Sequence, residues 1–333
     1  MKEVNKMSEF HVEVVRVESV EKHPDADSLD LVKVYDYTLV AKHGEYAVGD
    51  LAVYLPLDSV MPKDPQWEFL GNSRRIKAKK IRGIFSYGML AKLPAGEWNV
   101  GDDVAEAMGV TRWEDVSEPD GEKFKTFRTP QEPAPKGWVI PTYTDIEGLR
   151  KYSKYLEEGE EVVIGEKIHG CNMRAVSDGD KLWVASRTVL KKQDPKCLWW
   201  KVAEELGFEE KTKQYPFHVF FGEVFGQVQD LKYGIEQGKS TFRCFDVWSV
   251  KENRYLDHDE AYNMATSLGF VYVPILYRGP WSNDLKAMCE GNSTLAEHVR
   301  EGFVVKPVKE RSAKCGRVIF KMIGEGYLTR KGK

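Results

Sequence analysis

Thirteen short strand-like runs constrain what this chain can fold into. Six lie within residues 10–110: HVEVVRV, LDLVKVY, TLVA, DLAVYLP, RRIKAKKI and YGMLAKL. Gly, Pro and Asp punctuate them, in HPDAD, HGEYAVGD and LPAGEW. Strands this short bury an apolar face only by pairing with several others, so the segment predicts a small barrel or sandwich. Seven more runs follow residue 138: EVVIG, NMRAV, KLWVAS, HVFFGEVF, TFRCFDVW, GFVVKP and RVIFKMI. Here helical patterns interleave with them. TDIEGLRKYSKYLEEG opens on a capping-box pair, Thr144 and Glu147, carries Ile146, Leu149, Tyr152 and Leu156, and stops at Gly159. DPKCLWWKVAEELG places Leu198, Trp199, Val202 and Leu206 on one face, and DHDEAYNMATSLG reads as a third helix. Between the two regions, residues 113–137 are polar, hold four prolines and show little periodicity, the pattern of a linker. The reading is an α+β chain with a β-barrel over 1–112, a linker over 113–137 and an antiparallel-sheet domain over 138–333.

Composition narrows the class. Of 333 residues 42% are hydrophobic and 30% charged, which suits a packed globular protein. Net charge is −3, so nucleic-acid binding needs a local basic patch. One exists: RRIKAKKIR packs Arg74, Arg75, Lys77, Lys79, Lys80 and Arg82 into nine residues. No run approaches membrane-spanning length, and MKEVNKMSEF has no signal-peptide stretch. The five cysteines, 171, 197, 244, 289 and 315, are widely spaced with no CxxC pair. They read as reduced thiols of a cytoplasmic or nuclear protein, not a secreted one.

GEKIHGCN, residues 165–172, raises the chemical question. It interrupts what reads as two paired strands with a lysine, a histidine and a glycine. An unpaired ammonium is too costly to bury, so Lys167 either points to water or is held where its amine reacts. The polar residues that follow, embedded in strand-like sequence, decide between these. They are Ser186-Arg187, Glu223, Phe245-Asp246, Glu301, Lys306 and Lys321. Lysine is a nucleophile when burial or nearby cations lower its pKa. Two carboxylates hold a divalent cation that neutralises polyphosphate. An aromatic face stacks on a base, and further cations stabilise a transferring phosphoryl group. Neither GxxxxGK[ST] nor GxGxxG is present to cradle phosphates at a helix terminus.

These residues, in this order, resemble the motifs of the covalent nucleotidyltransferases: RNA ligases, DNA ligases and capping enzymes. KIHG is the RNA-ligase form of the first motif. EKIHGCN with SRT, GEVFG, EGFVVKP and RVIFK is similar to the phage RNA ligases that seal breaks in duplex RNA. The resemblance implies an ATP-grasp-like ligase domain and a set of roles. Lys167 would take AMP from ATP. Glu166 would face the adenine edge, Ile168 would line the nucleotide site, and Phe245 would stack on the ring. Arg187 would lie near the ribose or RNA end. Glu223 and Glu301 would hold Mn2+ or Mg2+, Lys306 and Lys321 would meet the nucleotide, and His169 and Asn172 would act at the RNA ends. One departure stands out: the last motif usually carries two lysines, and Ile323 replaces the second, so Lys306, Arg317 or Arg330 would have to supply the missing charge.

The N-terminal segment resembles the OB-fold RNA-binding module of some aminoacyl-tRNA synthetases and their cofactors, through HPDAD at His23–Asp27 and RGIFSYGM at Arg82–Met89. An OB-fold domain, a linker and a ligase domain in this order resemble the Naegleria-type RNA ligases. That resemblance implies an ATP-dependent enzyme that favours manganese, takes nicked duplex RNA as its partner, and is a monomer away from membranes. The rivals are a DNA-end ligase, a GTP-using capping enzyme, and a non-catalytic RNA-binding protein with a degenerate ligase domain.

Overall fold

The computed structural model describes residues 10–113, 131–144 and 146–330. The linker expected over 113–137 therefore falls mostly outside the described residues. The chain forms two units, one of Met1–Asp115 with Leu328–Lys333 and one of Val116–Tyr327.

In the first unit alternation builds small antiparallel sheets. Along Leu29–Val34 the residues Asp30, Val32 and Val34 are buried while Lys33 is exposed. This strand lies between Ser19–Lys22 and Tyr37–Lys42. A second sheet sets Leu51–Leu55 between Glu13–Arg16 and Met89–Ala91. Two apolar clusters fill the interior, one around Val14, Leu55 and Met61, the other around Val32, Leu39 and Phe85. Of the run RRIKAKKI only Lys79–Ile81 is a strand, and it pairs with Ile84–Ser86. The two-residue turn between them, Arg82-Gly83, has φ of 45° and 88°, the left-handed pair that a tight hairpin requires.

The second unit stacks its chemistry between two sheets. One runs in the order Glu147–Gly148, Phe320–Ile323, Gly302–Pro307, Glu161–Lys167, Ile275–Pro280. The other runs Leu190–Lys191, Leu182–Ala185, Cys171–Ser177, His218–Gly226, Ser240–Ser249, Arg254–Tyr255. Pairing is antiparallel except between Glu147–Gly148 and Phe320–Lys321. The helices Leu198–Glu205 and His258–Ser267 form where the periodicity predicts them, the second with a complete capping box from Asp257 and Glu260. Trp200 is buried beside Trp199 on the first, outside the predicted face. Asp178-Gly179 opens the expected hairpin turn, with Asp178 Oδ1 accepting from the Asp180 and Lys181 amides.

Two expectations fail. The long helix from Thr144 shrinks to Leu149–Tyr152 and a 3-10 turn at Ser153–Tyr155. Residues 147 and 148 pair with the sheet edge instead, and the Thr144 amide donates to Tyr255 Oη rather than opening a helix. Pairing partners far along the chain override local propensity here. Likewise, the strands flanking Ile168–Gly170 are not partners. Glu161–Lys167 belongs to the five-stranded sheet and Cys171–Ser177 to the six-stranded one.

Candidate active site

That crossover places Lys167 at the mouth of the space between the sheets. Val163, Gly165 and Lys167 alternate onto a cavity of about 250 Å3, while Val162 and Ile164 pack into the core behind. Gly170 permits the crossover. A Cβ there would lie 2.2 Å from the Val224 carbonyl oxygen and 3.0 Å from Glu223 Cγ, so only glycine fits against that strand.

The cavity gathers most of the predicted residues: Glu166, Lys167, Ile168, Asn172, Arg187, Glu223, Phe245, Lys306 and Lys321 all line it. Lys167 Nζ donates to Glu301 Oε1 at 2.8 Å. His169 stands beside this pair, its Nδ1 3.8 Å from Glu301 Oε2. Its ring is held at both nitrogens, by Tyr327 Oη at 3.1 Å and Asp230 Oδ1 at 2.8 Å. Its backbone amide donates to Tyr233 Oη at 2.7 Å. Asp230, Tyr233 and Tyr327 carry no motif, and the sequence offered no sign of them.

Glu166 is buried, and its carboxylate accepts from Ser293 Oγ at 2.5 Å, Thr294 N at 2.9 Å and Thr294 Oγ1 at 2.6 Å. A carboxylate offers four lone-pair positions, so one, on Oε1, is left for a base. Phe245 lines the cavity with Val304, Tyr272 and His258. Burial, then the nearby Lys306 charge, pushes the His258 imidazole down to about 4, so it is neutral at physiological pH.

Behind Phe245 lies a closed charge network. Asp246 is fully buried and accepts from Lys306 Nζ at 2.8 Å, Arg317 Nη2 at 2.6 Å and Tyr143 Oη at 2.9 Å. Glu310 binds the same two cations. Burial alone would raise the Asp246 carboxyl, but Arg317 and Lys306 outweigh it and hold it below its ordinary value. Lys306, which also lines the cavity, is thus held by Asp246 and Glu310. Arg317, named above as a substitute for the lysine missing at Ile323, is held by the same two carboxylates.

A buried arginine supports the cavity from behind. Arg174 donates to the carbonyl oxygens of Ser186, Ile140 and Pro141, tying the 140–144 segment to the strand end that carries Arg187.

The donor set suits a hard divalent cation. Glu301 Oε2 and Asn172 Oδ1 are buried oxygens with no hydrogen-bond partner, and Glu223 faces Asn172 in strand register. Among the described residues no three His, Cys, Asp or Glu side chains form a cage, so substrate oxygens or water would complete the shell.

In the first unit, Lys77, Lys79, Lys80 and Arg82 are exposed and Arg74 is half-buried. Arg75 is the remaining residue of the expected phosphate track. It pairs with Asp58 at 2.6 Å and lies over the Trp113 ring at 4.9 Å, so it is occupied within the domain.

One cavity thus gathers a strand-end lysine, the carboxylates Glu166 and Glu223 and the aromatic wall of Phe245. Residues 160–323 match the RNA ligase family model. Residues 11–93 match an OB-fold domain model. The fold is shared with solved structures of Naegleria gruberi RNA ligase. The complex with PPi has a TM-score of 0.79 at 22% identity, covering 95% of this chain and 97% of that one. A mutant with ATP and Mn has a TM-score of 0.78 at 21% identity, covering 96% and 98%. A curated relative, Protein Early 65 kDa of Autographa californica nuclear polyhedrosis virus, is 18% identical over 195 residues, 55% of this chain. The match spans about a third of that protein's length, 34%. Among the described residues no helix is long and apolar enough to cross a membrane.

Proposed function

We propose that this chain is an ATP-dependent RNA ligase that joins 3′-OH and 5′-phosphate ends, with nicked duplex RNA as its substrate. The observation that carries this reading is the Lys167–Glu301 pair at 2.8 Å, with Lys167 lining a cavity that also holds Phe245, Glu223 and Lys321. An ammonium is not a nucleophile, so its proton leaves before attack, and Glu301 Oε1 is placed to take it. Lys167 Nζ then attacks the α-phosphate of ATP, the bond to pyrophosphate breaks, and AMP stays on the lysine. The AMP passes to the RNA 5′-phosphate, and attack by the 3′-OH forms the phosphodiester and releases AMP.

In this reading Phe245 stacks on adenine, and Glu166 and Ile168 meet its edge. Arg187 and Lys321 meet the sugar and phosphates. His169 and Asn172 serve the RNA ends. Glu223, Glu301 and Asn172 would hold Mn2+ or Mg2+, which neutralises charge on polyphosphate oxygens. The exposed basic residues of the OB-fold unit supply phosphate contacts to RNA. The solved Naegleria relatives with ATP and Mn and with PPi support the choice of nucleotide and metal.

Intact-mass measurement after incubation with ATP and a divalent cation tests the reading. One covalent AMP is expected on the native protein and none on Lys167→Ala. The variant should still seal RNA supplied already adenylylated at its 5′ end. AMP on Lys167→Ala would show that another side chain is the nucleophile.

A further inference from the structure

HPDAD and RGIFSYGM stand far apart in the sequence, yet His23 of the first reaches Ile81, the residue just before the second. We infer that the two motifs are halves of one latch, which presents the basic hairpin Lys79–Ser86 to the phosphate backbone of RNA. This rests on the reading of the exposed basic residues as RNA contacts.

The hairpin needs a latch. Lys79–Ile81 and Ile84–Ser86 form a two-stranded sheet of their own, and such a ribbon is marginal in water. Side chains fix it at both ends. Near the turn stands His23, only 4% exposed. Its Nδ1 accepts the Asp25 backbone N–H at 3.1 Å, so the ring's proton sits on Nε2. Nε2 donates to the Ile81 carbonyl oxygen at 3.2 Å, one residue before the Arg82-Gly83 turn. One flat ring thus joins the HPDAD loop to the tip of the ribbon. At the other end stands Ser86, also 4% exposed. Its Oγ accepts the Val40 N–H at 3.1 Å and donates to the Gly88 carbonyl oxygen at 3.0 Å. Gly88 lies so close to its neighbour that a Cβ would meet the Leu55 carbonyl oxygen at 2.5 Å.

Lys79, Lys80 and Arg82 are exposed on the ribbon between these anchors, and Lys77 leads into it. Phosphate contacts gain from side chains held in a fixed frame, because less ordering is lost on binding. His23 and Ser86 are therefore positioning residues. They act through the hairpin and touch no RNA themselves.

The test measures binding of the full chain to nicked duplex RNA across a salt series, with lysine adenylylation by ATP as an internal control. His23→Leu should lower affinity and flatten the slope of log K against log salt by about one to two units, one per lost phosphate contact. His23→Gln, whose amide can both accept and donate, should restore most of both. Adenylylation should be unchanged in each. Should His23→Leu fail to fold, Ser86→Ala carries the same expectation from the other anchor. Replacing Lys77, Lys79 and Lys80 together by Gln separates the two readings. If that triple variant weakens binding while His23→Leu and Ser86→Ala keep the native affinity and slope, the latch is wrong and the RNA contact stands. If the triple variant also binds as the native protein does, the RNA reading of the hairpin falls and the latch with it.

Discussion

Asp246→Asn should be among the most damaging single changes in the second unit. The side chain is nearly isosteric, so packing around Phe245 and Tyr143 survives and the loss is one of charge. In the native chain two carboxylates, Asp246 and Glu310, face two cations, Lys306 and Arg317, and Asp246 is 0% exposed. The variant leaves two buried cations against one carboxylate. Breaking a buried pair by removing one partner costs about 3–5 kcal/mol. For a domain of this size each kcal/mol moves the midpoint by about 2–4 °C, so a drop of roughly 10 °C is expected. Thermal unfolding followed by tryptophan fluorescence measures it, since Trp183, Trp199, Trp200 and Trp281 are all buried in this unit. The native pH profile carries the same information. The folded Asp246 carboxyl lies below its ordinary value of 3.8, with burial opposing and Arg317 and Lys306 prevailing. Its contribution is therefore present above the unfolded value and is lost only as pH falls through the lower folded one. The variant should lose that part of the acid dependence. A midpoint within 2 °C of the native one, with acid unfolding unchanged, would refute the network as a staple between the sheets.

Gly170→Ala should abolish adenylylation, because its Cβ would meet the Val224 carbonyl oxygen at 2.2 Å and displace the crossover that carries Lys167; the expected loss of stability is about 1–3 kcal/mol, read by urea unfolding. Glu301→Ala and Glu223→Ala should each raise the metal concentration needed for adenylylation; native metal dependence in both would remove them from the site. Arg75→Ala should destabilise the first unit, through loss of Asp58 and Trp113, yet leave the salt dependence of RNA binding unchanged.

Much of the site was legible because its chemistry is spelled locally. EKIHGCN, GEVFG and EGFVVKP each place a polar residue against strand pattern, and the fold brings Lys167, Glu223 and Glu301 to one cleft. The strands of the first unit were legible for the same reason, as Leu29–Val34 shows. What stayed hidden depends on distant partners. Nothing near Lys306 in sequence says that Asp246 neutralises it, and nothing near Arg75 announces Asp58. Glu147-Gly148 reads as helix until Phe320–Lys321 arrives to pair with it. Ser293 and Thr294, which clasp Glu166, sit in an irregular loop with no periodicity to mark them.

The crossover at Ile168–Gly170 also has a mechanical side. It ties the end of Glu161–Lys167 in one sheet to the start of Cys171–Ser177 in the other. Four peptide links reach at most about 14 Å even when fully extended. Lys167 is therefore tethered near Asn172 and the strand that carries Glu223, whatever the rest of the two sheets does.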